Sequence, residues 1–300
     1  MNKTNNNMIL LSDTGRDCIT FMDGITGNVI RNIHVSANSG PHGITVCENG
    51  QFLCFSNQFD NCINIYDMIN DRLGENIGTG ATPCHIAKIK EKLYVSNADS
   101  DSISVIDMEE KNSIMVIPSG RMPHDVIEWK NCIIAAESGS DSIGMIDSSN
   151  DEYVQRIDLK CSPIHICRLP GKNMIAAACT EYGIEVKGYI CIIDMVSLNL
   201  IEKIRVGNCL TDIVSDKEGN YVYVSDGGKG SVYKVDMSTG LVVSDIFLSG
   251  YLSSLSFDEH TEKLIVTEGM KDRIYVIDGE KGIVERIINT GRDISHTAFI

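Results

Sequence analysis

The chain has 300 residues, of which 43% are hydrophobic and only 6% are aromatic. This composition suits many short β-strands better than helices packed on large rings. The net charge is −15, from 41 acidic and 26 basic residues, so the field of the chain repels phosphate backbones and anionic lipids. We therefore expect neither nucleic acid nor a membrane as a partner.

The N-terminal region offers no export signal. Residues 1–7 are predicted to be a flexible tail, and the apolar stretch from Met8 to Leu11 is too short for a signal-peptide core. The eleven cysteines are odd in number and are scattered through strand-like segments. An exported protein normally carries an even, disulfide-forming set, so the sequence predicts a reducing, cytoplasmic location.

An internal repeat predicts the fold. A strand-like run that ends in Asp, such as CITFMD or RIYVID, recurs seven times at intervals of 44, 40, 40, 47, 42 and 42 residues. The final residues of these runs are Asp23, Asp67, Asp107, Asp147, Asp194, Asp236 and Asp278. Ten positions before six of them, another apolar run ends in a polar residue: Asp13, Asn57, Asn97, Glu137, Asp226 and Glu268. With two further strands per unit, the pattern predicts one all-β domain over residues 1–300, a seven-bladed β-propeller with four antiparallel strands per blade.

One repeat carries a family resemblance. The segment LYVSNADSDSISVID, from Leu93 to Asp107, resembles the repeat of the YVTN-repeat family. The resemblance extends over residues 8–300 and implies a propeller, but it implies little about activity because such propellers serve unrelated roles. The chain begins in a second strand, near Met8, and ends in a first strand, residues 296–300. One blade is therefore predicted to combine both ends and close the ring.

Five of the seven histidines fall at one place in the repeat, 17 to 19 residues after its Asp, where chance would put about 0.2. The seven repeats carry His42, His85, His124, His165, Asp212, Ser254 and His296 there. Because first strands are innermost in a propeller, these side chains are expected to surround the axis. His85, His165 and His296 share an offset of 18 residues and are the strongest candidates. His42 and His124, at offsets of 19 and 17, would turn away if the strand keeps its period of two.

Neutral imidazole is a common transition-metal ligand, and imidazoles bind iron or copper at the hubs of unrelated propellers. A copper, iron or zinc ion is therefore predicted at His42, His85, His124, His165, His296 and Asp212. Glu137, Glu268 and Asp226 end second strands at the same face and are predicted catalytic carboxylates that orient an imidazole or carry a proton. Affinity for the ion is expected to fall below about pH 6.5, the ordinary pKa of imidazole.

Three interpretations of the histidines remain open at this point. The first is a metal-dependent enzyme acting on a small molecule or peptide. The second is a metal-free lyase with histidine as base, as in the streptogramin-inactivating propellers. The third is a non-enzymatic interaction scaffold, in which histidines hydrogen-bond within their blades as they do in WD-repeat propellers.

Two further features accompany the histidines. Cys84, Cys161, Cys167 and Cys209 lie near them in the repeat and would favour a thiophilic ion, although a buried Cys is usually a small hydrophobic residue. The connection TEYGIEVKG is about five residues longer than its equivalents and is expected on the histidine-bearing face. There Tyr182, Glu185 and Lys187 are predicted to form a lid.

Overall fold

A computed structural model describes residues 8–47 and 50–300, so the predicted tail, residues 1–7, lies outside the described residues. The strands form seven separate antiparallel sheets. The first strands of successive sheets contact one another around a closed circle, and this arrangement confirms the predicted seven-bladed propeller. None of the helices in the described part of the chain is long and apolar enough to cross a membrane.

The strands follow the chain blade by blade. Blade 1 contains β1 (Met8–Asp13), β2 (Cys18–Asp23) and β3 (Val29–His34). Blade 2 contains β4 (Pro41–Cys47), β5 (Phe52–Asn57), β6 (Cys62–Asp67) and a divided fourth strand, β7 (Arg72–Leu73) and β8 (Ile77–Gly78). Blade 3 contains β9 (Pro83–Ile89), β10 (Lys92–Asn97), β11 (Ser102–Asp107) and β12 (Asn112–Pro118). Blade 4 contains β13 (Pro123–Trp129), β14 (Cys132–Glu137), β15 (Ser142–Asp147) and β16 (Glu152–Asp158).

The remaining blades are regular. Blade 5 contains β17 (Ser162–Leu169), β18 (Met174–Glu181), β19 (Lys187–Asp194) and β20 (Asn199–Arg205). Blade 6 contains β21 (Leu210–Ser215), β22 (Tyr221–Asp226), β23 (Ser231–Asp236) and β24 (Leu241–Phe247). Blade 7 contains β25 (Leu252–Asp258), β26 (Lys263–Glu268), β27 (Arg273–Asp278) and β28 (Ile283–Asn289), and β29 (Ile294–Phe299) completes blade 1. In the part of the chain that the structure describes, three short 3-10 helices follow second strands: Thr14–Arg16, Ala98–Ser100 and Ser138–Ser140.

The two ends of the chain meet in blade 1. Strand β29 pairs antiparallel with β1, with Ile9 opposite Phe299 and Leu11 opposite Thr297. The blade that combines both ends is therefore confirmed, and its first strand begins at residue 294, two residues earlier than predicted. The pairing leaves blade 1 with four strands like the other blades, and it joins the ring where the chain would otherwise leave it open.

The apolar core lies between neighbouring blades. Ile143 and Ile157 of blade 4, for example, share one buried cluster with Ile175 and Ile193 of blade 5. Each blade is buried on both faces, so its middle strands are nearly continuous apolar runs rather than alternating ones. Stacked in this way, the seven blades hold the seven first strands at fixed positions around the axis.

The repeated Asp residues organise the turns between third and fourth strands. The carboxylate of Asp194 accepts backbone hydrogen bonds from Val196 and Ser197, both at 2.8 Å. The same pattern recurs at Asp23 and Asp67. Such side-chain to backbone bonds stabilise a tight turn, and they explain why Asp marks the repeat.

Because of these hydrogen bonds, we expect the stability of the fold to decrease at acidic pH. Backbone N–H donors lower the pKa of Asp194, so its contribution to stability is full above the unfolded pKa, about 3.9, and is lost as pH falls through the folded pKa. We expect Asp194→Asn, which keeps an acceptor but does not titrate, to be less stable than the parent at pH 6. Urea denaturation should show the difference shrinking toward pH 3. A difference that stays constant or grows on acidification would contradict this role.

Candidate metal centre

A β-bulge near the start of each first strand sets the direction of the site residues. In blade 3 the register shift leaves Cys84 and His85 together opposite Ser96. In blade 4 it leaves His124 and Asp125 opposite Ala136. A bulge interrupts the alternation of side-chain direction along a strand and changes the direction of the side chains next to it. Residues at two consecutive positions can therefore face the axis. For this reason offsets of 17, 18 and 19 residues lead to the same site.

Hydroxyl groups on second strands hold the bulges. Ser96 Oγ accepts from the backbone N–H of His85 at 3.0 Å and donates to the carbonyl oxygen of His124 in the next blade at 2.5 Å. Ser56 does the same between the N–H of Gly43, at 2.9 Å, and the carbonyl oxygen of Cys84, at 2.5 Å. Backbone groups that the bulge removes from the ladder are thus satisfied, and neighbouring first strands are fixed relative to each other.

The structure brings all five predicted histidines together. The ring centroid of His85 lies 5.1 Å from those of His42 and His124, 4.7 Å from that of His165 and 4.8 Å from that of His296. The centroid of His124 lies 5.0 Å from that of His165 and 5.6 Å from that of His42. His42 and His124, which strict alternation would have turned away, therefore lie in the same group. We call these five residues the axial imidazoles.

Two axial imidazoles direct Nδ1 at an oxygen within hydrogen-bonding distance. His124 Nδ1 lies 3.3 Å from the carbonyl oxygen of Ile164, and His165 Nδ1 lies 3.4 Å from Asp212 Oδ1 and 3.6 Å from Asp125 Oδ2. In the neutral form of these two rings the hydrogen is therefore on Nδ1 and the lone pair is on Nε2. His85 Nδ1 lies 3.9 Å from Asp125 Oδ1, which is beyond hydrogen-bonding distance.

His85, His124 and His165 also fit the size of a metal site. Each offers one ring nitrogen, and these nitrogens lie within 4.8 Å of one another. Nitrogens bound to one ion at about 2.1 Å are about 3.4 Å apart in tetrahedral geometry, so a small inward movement of the rings is enough. His85 Nε2 is buried and has no hydrogen-bond partner among the described residues. Such an orphaned acceptor is expected where an ion is to be bound.

His296 lies beside His85 but is oriented differently. Its Nδ1 accepts a hydrogen bond from the backbone N–H of Ile44 in the next blade, at 3.1 Å. The neutral ring therefore carries its hydrogen on Nε2 and faces the group as a donor. Asp125 and Asp212 accept inter-blade N–H groups in the same manner, from Ile166 at 2.9 Å and Leu255 at 2.8 Å.

A second donor group overlaps the first. His42, Cys84 and His124 offer ligand atoms within 4.8 Å of one another, and His42 Nε2 is buried without a hydrogen-bond partner among the described residues. Burial raises the pKa of the Cys84 thiol to about 12, so this sulfur is protonated at neutral pH. The group also shares His124, and it is therefore the weaker of the two donor sets.

The surroundings set the charge of the imidazoles. Burial, followed by the other imidazoles, lowers the pKa of His85 well below its usual value, and burial lowers the pKa of His124 to about 3 and of His296 to about 4. Burial also opposes the charge of His165, but Asp212 and Asp125 outweigh it and raise its pKa to about 9. His85 and His124 are therefore neutral and in the ligand form near pH 7, whereas His165 must lose a proton when an ion binds.

The carboxylates that touch the imidazoles are Asp125 and Asp212. Asp212 was predicted from its offset of 18 residues, whereas Asp125 was missed. Asp125 lies at the same offset from Asp107, so a strict count would have found it beside His124. Both are nearly buried, with exposed fractions of 7% and 5%. Their contacts with His165 resemble the carboxylate–histidine pairs that orient metal ligands.

The outer carboxylates have other partners. Glu137 accepts from Gly120 N at 2.7 Å and from the hydroxyls of Ser142 and Tyr153 at 2.7 and 2.9 Å. Asp226 accepts from the backbone N–H groups of Asn208 at 2.6 Å and Gly228 at 2.9 Å, which lie in two different loops, and Glu268 lies 3.7 Å from Arg273. Neither axial cavity is lined by these three residues. The contacts predicted for them with imidazoles are made by Asp125 and Asp212 instead.

Two cavities meet the axial imidazoles. The upper cavity, of about 560 Å³, is lined by His42, His124 and His165 and lies on the side where the fourth-to-first connections arrive. The lower cavity, of about 640 Å³, is lined by His85, His165 and His296 together with Asp125 and Asp212. His165 belongs to both. The imidazoles therefore lie between the cavities, where a bound group would be reachable from either side.

Only some of the predicted lid residues and cysteines line the two cavities. Tyr182 lines the upper cavity, whereas Glu185 is exposed and Lys187 is half-buried at the start of β19. Cys209 lines the upper cavity and Cys167 the lower one. Of the predicted lid residues, Tyr182 is thus the one placed at the mouth.

The chain has the fold of seven-bladed β-propellers. No protein-family model matches the sequence, and no curated protein matches it significantly. A Kuenenia stuttgartiensis hydrazine synthase structure is similar at 21% identity, covering 90% of this chain and 92% of that one, with a TM-score of 0.76. A Bacteroides fragilis protein to which 6-phosphogluconolactonase activity is ascribed matches at 17% identity over 100% and 99%, with a TM-score of 0.78. The dihydro-heme d1 dehydrogenase NirN matches at 13% over 100% and 76%, with a TM-score of 0.73. At sequence identities this low, the structural similarity shows a common fold and nothing about activity.

Proposed function

We propose that this propeller is a metal-dependent enzyme that binds one transition-metal ion through Nε2 of His85, His124 and His165. The observation that carries the proposal is the convergence of these three rings, which offer ring nitrogens within 4.8 Å of one another. His124 and His165 direct Nδ1 at an oxygen, and His85 Nε2 is buried without a hydrogen-bond partner among the described residues. Enzymes are named among propellers of this shape, and their names support the class and not a reaction.

The donor set favours zinc, copper or iron, the ions that imidazole suits. Three protein ligands are typical of catalytic sites, which keep a position open for water or substrate. An ion bound there would supply a Lewis acid that polarises a carbonyl group or activates water. The protein itself holds the rings in place: Asp125 and Asp212 orient His165, and the backbone of Ile164 orients His124.

The lower cavity is the proposed substrate site. It combines Asp125 and Asp212 with His296, whose Nε2–H is available to donate to a substrate oxygen. Its walls include Val214 and Phe257. A small molecule or short peptide with an apolar part and no net negative charge fits these walls and the charge of −15 on the chain. Nucleic acid and membranes are not proposed as partners.

A thermal-shift experiment on tag-free protein tests ion binding. Protein stripped with a chelator should gain stability when Zn²⁺, Cu²⁺ or anaerobic Fe²⁺ is added, by about 2.7 kcal/mol at a hundredfold excess over the dissociation constant. No shift with any of the three ions would favour the metal-free lyase or the interaction scaffold. Mg²⁺, a poor partner for imidazole, is the matched control.

We also propose membership of the YVTN-repeat family and a cytoplasmic location. The repeat pattern supports the first, and the odd number of cysteines supports the second. Thiol titration of freshly denatured protein should detect nearly all eleven cysteines in the reduced form. Two or more native disulfides would contradict the proposed location.

A further inference from the structure

A second cluster of metal-binding side chains lies between blades 4 and 5, away from the axis. Cys161 is in the connection that leads into β17, Cys179 is on β18 and Cys191 is on β19. Their sulfur atoms all lie within 4.8 Å of one another, and the sulfurs of Cys161 and Cys191 are 3.5 Å apart. We call these three residues the thiol triad. It shares no residue with the axial imidazoles.

The triad is closed off from solvent by apolar groups. Exposed fractions are 2% for Cys161 and 0% for Cys179 and Cys191, and the three belong to one core cluster with Ile143 and Ile157 of blade 4. No further Cys or His is grouped with them among the described residues. The triad therefore offers three sulfur ligands in an apolar environment.

A lysine balances charge beside the triad. Lys203 is the cross-strand partner of Cys191, and its Nζ lies 3.4 Å from the carbonyl oxygen of Leu159, two residues before Cys161. The ammonium group of Lys203 can therefore stabilise the thiolates that form when an ion binds, and thiolate is the form that binds metals.

We propose that Cys161, Cys179 and Cys191 bind one Cu(I) ion in three-coordinate geometry, with Lys203 compensating the charge of the thiolates. Thiolates are soft ligands that select Cu(I), Zn²⁺ and iron–sulfur clusters. Structural zinc and iron–sulfur clusters take four protein ligands, whereas Cu(I) accepts three. Sulfurs at about 2.3 Å from one ion in a plane are about 4.0 Å apart, which the triad matches with small movements.

Binding involves no electron transfer. The ion arrives as Cu(I) and stays Cu(I), three copper–sulfur bonds form, and the thiol protons of Cys161, Cys179 and Cys191 pass to solvent. The site is thus independent of the chemistry proposed at the axis.

Anaerobic titration with Cu(I) in the presence of a competing chelator tests the proposal. Tag-free parent protein should develop an ultraviolet thiolate-to-copper charge-transfer band that saturates at one ion. X-ray absorption at that stoichiometry should show three sulfur atoms at about 2.3 Å. Cys161→Ser and Cys191→Ser should each abolish the band. The combined His85→Ala, His124→Ala and His165→Ala variant should retain it, which separates this site from the axial one.

Cys132→Ser is the matched control, because Cys132 is partly buried against the same core cluster but is outside the triad. It should keep the parent band and affinity. Should the triad variants fail to fold, Lys203→Met keeps all three sulfurs and is expected to bind Cu(I) about tenfold more weakly. Nitrogen ligands in the parent spectrum, an equal loss in Cys132→Ser, or unchanged affinity in Lys203→Met would overturn the proposal.

Discussion

Replacing His85, His124 and His165 together by alanine is expected to abolish the binding of one metal ion per chain. These rings supply all three ligands of the proposed centre, and the loss should exceed the 10–100-fold weakening that follows removal of a ligand's hydrogen-bond partner. The measurement is metal content by mass spectrometry after growth in metal-supplemented medium and purification without a His tag.

The matched control is a variant that removes two other axial imidazoles, His42→Ala with His296→Ala. This variant lacks two of the five axial imidazoles but keeps the three proposed ligands, so its metal content should equal that of the parent. Circular dichroism should show β-structure in both variants, because each blade keeps its own strands. Parent-like metal content in the triple variant would show that the axial imidazoles do not bind the ion.

The pH dependence of metal affinity is expected to report on His165. Asp212 and Asp125 raise its pKa to about 9, so below that pH an ion must displace a proton from His165. The logarithm of the affinity should rise by about one unit per pH unit up to pH 9 and then level off. His124, with a pKa of about 3, adds no slope in this range. If His165 had the ordinary imidazole pKa of about 6.5, the affinity would instead level off near pH 6.5.

Asp212→Asn should change this profile in two measurable ways. The titration midpoint of His165, followed by NMR on metal-free protein, should move down from about 9 because the strongest charge that raises it is gone. Above pH 9, where proton competition ends, the variant should bind the ion about 10–100-fold more weakly because the ring is less well oriented. Glu137→Gln, whose carboxylate contacts Gly120 and Tyr153, is the control and should match the parent. An unchanged His165 midpoint in Asp212→Asn would rule out the assigned pairing.

The sequence was sufficient for the fold because a propeller is built from local repeats. Each Asp such as Asp194 closes a turn with its own neighbours, so the period appears directly in the residue order. Closure of the ring could also be predicted, because an incomplete unit at each end requires a shared blade. Burial of both faces of every blade produced the apolar runs from which the strands were identified.

The residues that form the axial site could be predicted only in part. The histidine offsets predicted that His85, His165 and His296 converge, because equivalent positions of a ring of blades surround one axis, and they left the direction of His42 and His124 open. Asp125 was not predicted because it is adjacent to His124 in the sequence. In a strand with strict alternation, only one of two adjacent residues can face the axis. The bulge in blade 4 removes that restriction. A bulge depends on pairing with the next strand, and its effect on side-chain direction is not visible in a count of residues.

The sequence by itself thus determined the seven blades, their closure and the convergence of His85, His165 and His296, since these follow from periodicity. Tertiary structure decided which nitrogen of each ring is free, because that depends on hydrogen bonds from other blades: His296 accepts from Ile44, whereas His165 faces Asp212. It also decided that Cys161, Cys179 and Cys191 meet. Their separation along the chain has no relation to the repeat: the pairing of β18 with β19 brings Cys179 and Cys191 together, and the connection into blade 5 brings Cys161 to them.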